Sequence, residues 1–124
     1  MQMDRRMGQR FEVSLPIRVE WSDEENGTQI VEEGRTENVS PNATLVHLPR
    51  QLPRVGSTVN IVIFEAKGAE VVKISARVLR IERNPAHPLA AFTITDSIES
   101  WRKKVWLNES LIESFTKSPE EYED

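Results

Sequence analysis

Apolar and polar residues alternate strictly near the start of the chain. Phe11, Val13, Leu15, Ile17, Val19 and Trp21 are apolar, and Glu12, Ser14, Pro16, Arg18 and Glu20 between them are not. A period of two sustained this long predicts a strand with one buried face over residues 11–21. Pro16 has no N–H to give to a ladder, so it marks an edge position or a bulge. Ser22 to Gly27 is a turn, with Asn26-Gly27 a typical hairpin pair. A second strand is expected from about Thr28 to Val39, with a bulge or an exposed segment at its polar middle, Glu32, Glu33 and Gly34. Ser40-Pro41-Asn42 makes a sharp turn into a third strand, Ala43 to Leu48, and a proline-containing loop leads to a fourth around Val59, Ile61 and Ile63. After a Lys67-Gly68 hairpin comes a long strand from about Val71 to Arg83. Val72, Ile74, Ala76 and Val78 share one parity, but Leu79 and Ile81 take the other, which predicts a bulge or a barrel corner. Ala90 to Thr95 is the last strand, with Phe92 and Ile94 inward.

The period then changes. Ile98, Trp101, Val105, Ile112 and Phe115 recur at helical spacings, and Asp96 followed by Glu99 reads as a capping box. One helix over roughly 97–116 is expected. The predicted class is all-β with one C-terminal helix: about six antiparallel strands closed into a barrel, with the helix burying its apolar stripe on it. The chain divides into an arm, residues 1–10, read as flexible; the barrel and helix, 11–116; and an acidic tail, 117–124.

Composition narrows the function. At 124 residues there is room for one domain and one core. Cysteine is absent, which removes disulfides, a thiolate nucleophile and thiolate metal ligands and fits a reducing compartment. No stretch is long and apolar enough to span a bilayer, and the charged N-terminus lacks the apolar core of a signal peptide, so a cytoplasmic protein without membrane insertion is expected. The net charge of −4 argues against DNA or RNA binding, although Arg5, Arg6 and Arg10 crowd the arm and offer an anion a local foothold.

Enzyme chemistry finds little support. Of the two histidines, His47 lies on a strand and His87 between prolines, and neither has a His or Cys at metal-ligand spacing. The acidic pairs, Glu32 and Glu33 among them, read as a solvated face, and no phosphate-binding glycine loop is present. No metal, no cofactor and no catalytic residue is expected.

Two short features carry binding chemistry. Arg6 and Arg10 stand four apart directly before the first strand, and each guanidinium is a planar fork that matches phosphate oxygens or the O6/N7 edge of guanine. Taken alone, the pair reads as an ordinary charged terminus that aids solubility. The second feature is Asn38-Val39-Ser40-Pro41-Asn42-Ala43. Asn38 offers an amide for a base edge, Ser40 a hydroxyl for a phosphate, Pro41 holds Ser40 extended, and Asn42 tolerates a left-handed backbone. Taken alone, this is a strand-turn-strand.

Together and in order, the two features resemble the PilZ family, whose signature is RxxxR before the first strand and [D/N]xSxxG at a turn some thirty residues later. Arg6 and Arg10 match the first part, and Asn38 and Ser40 the second. Leu52 to Ile63, Ser75 to Arg80 and Phe92 also resemble the family's pattern, so the likeness runs over about residues 4–115. The resemblance implies a small barrel with a C-terminal helix that binds cyclic di-GMP. It implies that Arg6 and Arg10 clamp guanine edges and phosphates, that Asn38 pairs with a guanine edge, that Ser40 contacts ligand on the barrel surface, and that Arg5 adds a further guanidinium. Asn42 and Ala43 complete the implied ligand turn. The sequence departs from the family at Ala43, which stands where the signature has its final glycine, a residue that admits close backbone approach or positive φ. The expected mechanism is a ligand that pins the arm on the barrel and creates a surface for a downstream protein partner. The rival expectation is a ligand-free adaptor, with Trp101, Trp106 and the run Arg102, Lys103, Lys104 as a partner surface.

Overall fold

In the computed structural model, residues 10–115 are described. Residues 1–9 of the expected arm, Arg5 and Arg6 among them, and the acidic tail lie outside them. The six strands are β1 (Pro16–Ser22), β2 (Gln29–Val39), β3 (Ala43–His47), β4 (Thr58–Phe64), β5 (Glu70–Glu82) and β6 (Leu89–Asp96). They form a closed antiparallel barrel in the order β1-β2-β3-β6-β5-β4, with β4 pairing back onto β1. β2 to β6 lie close to their expected ranges. The inward rows meet in one core, in which Leu15, Val19, Val39, Val46, Ile61, Ile63, Ala76 and Phe92 are fully buried.

The ladder of the first strand starts later than the alternation does. Val13 and Leu15 point inward as expected, but β1 pairs with β2 only from Pro16, which sits at the strand start opposite Arg35 rather than at an edge or a bulge. The preceding segment is held by a side chain. Buried Thr36 accepts from the Leu15 N–H at 2.8 Å and donates to the Val13 carbonyl. Thr36→Val keeps the shape and orphans both backbone groups, so it should cost about 1–3 kcal/mol, read as a lower urea midpoint at unchanged slope.

Two expectations about β2 are corrected. The register shift lies between Thr36 and Asn38, with Glu37 the extra residue, and not at the polar middle. Glu32 is buried rather than solvated: Gln51 Nε2 donates to its carboxylate at 3.0 Å and Arg50 Nε lies 3.9 Å away. Gly34 has a steric role. A Cβ there would be driven into the His47 backbone carbonyl oxygen and to 2.9 Å from Leu48 Cδ2, where the chain leaving β3 folds over β2.

The C-terminal helix also departs from expectation. It is three short pieces: α1 (Ile98–Trp101), a π-helical turn (Arg102–Trp106) and α2 (Glu109–Glu113). The Leu107 N–H bonds to the Arg102 carbonyl, which widens the helix, and Asn108 restarts it by accepting from the Leu111 N–H at 3.0 Å. The Asp96 capping box does not form. Asp96 still belongs to β6, and Ser97, left-handed at φ 62°, turns the chain into the helix with no side-chain cap. Of the expected stripe, Trp101, Val105 and Ile112 nevertheless join the barrel core and Ile98 and Phe115 pack partly buried against it; Trp106 and Leu111, outside the stripe, are buried as well. Both tryptophans are therefore removed from any partner surface. No helix among the described residues is long and apolar enough to cross a membrane.

Candidate functional site

The backbone delivers the arm to the Asn-x-Ser segment. Phe11 N–H donates to the Val39 carbonyl at 2.8 Å, and Val39 N–H returns a bond to the Phe11 carbonyl at 2.9 Å. Val39 lies between Asn38 and Ser40, so the chain enters the barrel against the motif and Arg10 is carried beside it. Arg10, Asn38, Ser40 and Ala43 line one groove of about 120 Å³ on the barrel wall, together with residues of β3, β5 and β6. Of the expected site residues, these four are brought together; Arg5 and Arg6 lie outside the described residues.

Asn38 is placed by the β2 bulge: it pairs with Leu45 after the register shift and stands on the groove side. Among the described residues its side-chain amide has no hydrogen-bond partner, which leaves both its donors and its acceptor open to a ligand. The Ser40 hydroxyl donates only a long bond, 3.3 Å, to the Ala43 carbonyl, which the Ser40 N–H already serves at 2.9 Å. That hydroxyl can turn to a phosphate at little cost.

Asn42 is placed differently from its expected role. It is not part of the groove lining; its Oδ1 accepts from Arg102 Nη2, while Arg102 Nε donates to the Pro41 carbonyl at 3.1 Å. Trp101 Nε1 donates to the Ser40 carbonyl at 2.8 Å. The helix thus grips the back of the turn whose front bears Ser40. Neither Asn42 nor Ala43 adopts the left-handed backbone that a glycine would favour. Ala43 pairs with Thr93 as the first residue of β3. The motif glycine's φ freedom is therefore not used here, and only the alanine's methyl distinguishes the site.

The alternation missed one cluster. His47 and His87 stack with ring centroids 4.2 Å apart; His47 Nδ1 donates to the Pro88 carbonyl at 3.0 Å, and His87 Nε2 donates to the Glu37 carboxylate at 2.9 Å. These contacts tie the β5–β6 loop to the β2 bulge next to Asn38. Only the fold brings them together, across forty residues of chain.

The closed six-stranded barrel thus carries, where the chain enters it at Phe11, a groove that brings Arg10, Asn38 and Ser40 together. The PilZ domain family model matches residues 4–102, and the chain belongs to the PilZ domain family. Domains of this family are in general receptors for cyclic di-GMP and not enzymes. None of the curated proteins matches the chain. Among solved structures, the PilZ domain of CeSA from a cellulose-synthesizing bacterium is similar at 22% identity and TM-score 0.55, over 81% of this chain and 98% of that one. The PilZ domain of YcgR from Escherichia coli, solved with c-di-GMP, is similar at 16% identity and TM-score 0.56, over 83% and 89%. The Bacillus subtilis inhibitor of motility, MotI/DgrA, is similar at 17% identity and TM-score 0.56, over 78% of this chain. The chain spans about half of that protein, 46% of its length. At these identities the likeness is one of fold.

Proposed function

We propose that this chain is a bacterial cytoplasmic receptor for cyclic di-GMP, which binds in the groove of Arg10, Asn38 and Ser40 and draws the arm of residues 1–10 down over it. The observation that carries this reading is the paired Phe11–Val39 bridge, which sets Arg10 beside a Ser40 hydroxyl held by one long bond and an Asn38 amide that has no partner among the described residues. Arg10, with Arg6 and Arg5 from the arm, clamps phosphates and guanine edges through charge-assisted forks. Asn38 pairs with a guanine edge, and Ser40 donates to a phosphate. Arm and barrel then form a new joint surface, which a downstream protein reads. Calorimetric titration of cyclic di-GMP, with GTP as control, tests the proposal: saturable binding of the cyclic dinucleotide alone is expected, and no heat with either would defeat it.

The rival reading, a lapsed site serving as an adaptor, is favoured by the methyl of Ala43 on the groove wall. Ala43→Gly separates the two. A receptor should gain affinity a few-fold, because backbone geometry stays the same and only a methyl leaves. A lapsed site would show binding in the glycine variant and none in the parent, measured by the same titration.

A further inference from the structure

The groove has a far wall that neither short motif contains. Asn38 pairs with Leu45, Leu45 with Ala91, and Ala91 with Arg80. These residues make one row across β2, β3, β6 and β5. With neighbouring strands about 4.8 Å apart, the row runs roughly 14 Å from Asn38 to Arg80. Its middle is apolar, with half-buried Leu45 and the small side chain of Ala91.

The bulge foreshadowed by the parity switch stands at the far end. The register steps from Val78 opposite Phe92 to Arg80 opposite Ala91, and Leu79 is the extra residue. An inserted residue re-aims its neighbours. Leu79 and Arg80 both line the groove, and Leu79 is 49% exposed. A single exposed leucine means nothing by itself. Here it flanks an apolar floor that has guanidinium groups at both ends. Among the described residues Arg80 is held only by Glu82 at 3.4 Å, with both side chains about half exposed, an ion pair of little worth. Its guanidinium is free to turn to an anion.

We infer that the β5 bulge is a second recognition element of the groove: Leu79 is an apolar platform for the face of one purine base, and Arg80 a further guanidinium for a phosphate or guanine edge. The inference rests on the reading of this groove as the cyclic di-GMP site. The ligand is held from both ends, by Arg10, Asn38 and Ser40 on one side and by the bulge on the other.

The test is calorimetry of cyclic di-GMP on the full chain and on four variants. Leu79→Ser and Arg80→Ala should each weaken binding about tenfold, and Arg80→Lys should recover only part of that loss, because an ammonium lacks the fork. Leu79→Phe should bind at least as tightly as the parent, since a ring offers a larger face to a base. The loss in Arg80→Ala should shrink as salt rises, whereas that in Leu79→Ser should not. Where Leu79→Ser lowers the melting temperature, Leu79→Phe decides the platform: weaker binding overturns it. Parental affinity in both Leu79→Ser and Arg80→Ala overturns the inference and leaves the receptor reading standing. A parent chain that does not bind overturns both.

Discussion

Arg10→Ala should weaken cyclic di-GMP binding by about a hundredfold or more. A charge-assisted hydrogen bond is worth about 1.5–3 kcal/mol, a guanidinium fork makes two, and each 1.4 kcal/mol is tenfold in affinity. The loss is amplified by the arm. Fixing its backbone costs roughly 1–2 kcal/mol per residue, and contacts with the ligand must offset that. Arg10 is the arginine nearest the anchoring Phe11–Val39 bridge, so the remaining arm has the longest span to close without it. The fold should not suffer, because Arg10 is exposed and Phe11 keeps its backbone bonds. Calorimetry and a thermal melt on the same sample check both halves. Parental affinity would remove the arm from the mechanism.

Gly34→Ala should destabilise the barrel more than any other single methyl. The added carbon meets a backbone carbonyl, that of His47, which cannot rotate away as a side chain can. Overpacking in a close-packed interior typically costs about 1–3 kcal/mol, and relief here requires separating β2 from the chain that leaves β3. That chain segment carries Leu48 of the core and His47 of the stacked pair. A fall in melting temperature of about 4–12 °C is expected. An unchanged melt would mean that the β3 exit moves freely and that the crossing is not a fixed point of the fold. Gly27→Ala is the companion: it meets nothing within 4 Å, and only its positive φ of 71° opposes the change, so its loss should be smaller.

The strands were legible because their signal is local. The inward row from Val13 to Trp21 is buried as the alternation requires, and the parity change at Leu79 marks a real bulge. Asn38 and Ser40 were legible as a motif, and the structure brings them to the same groove as Arg10. What was hidden depends on partners distant in sequence. Glu32 read as a solvated acid because Gln51, which satisfies it, belongs to a loop nineteen positions on. Asn42 read as a ligand residue because Arg102, which engages it, lies sixty positions away on the helix. The helix read as continuous because the apolar spacing survives its interruption. The break was nonetheless written locally, in the Asn108 side chain that caps α2 and bonds back to the Lys104 carbonyl.

The most direct measurement is an NMR titration of the isotope-labelled chain with cyclic di-GMP. Saturating ligand should move the amide signals of Arg10, Asn38, Ser40, Ala43 and Leu45 together, with the Asn38 side-chain amide among the largest shifts. An unchanged spectrum, or shifts gathered around Trp21, Ile30 and Arg54, where the barrel has a separate pocket, would contradict the assignment of this groove.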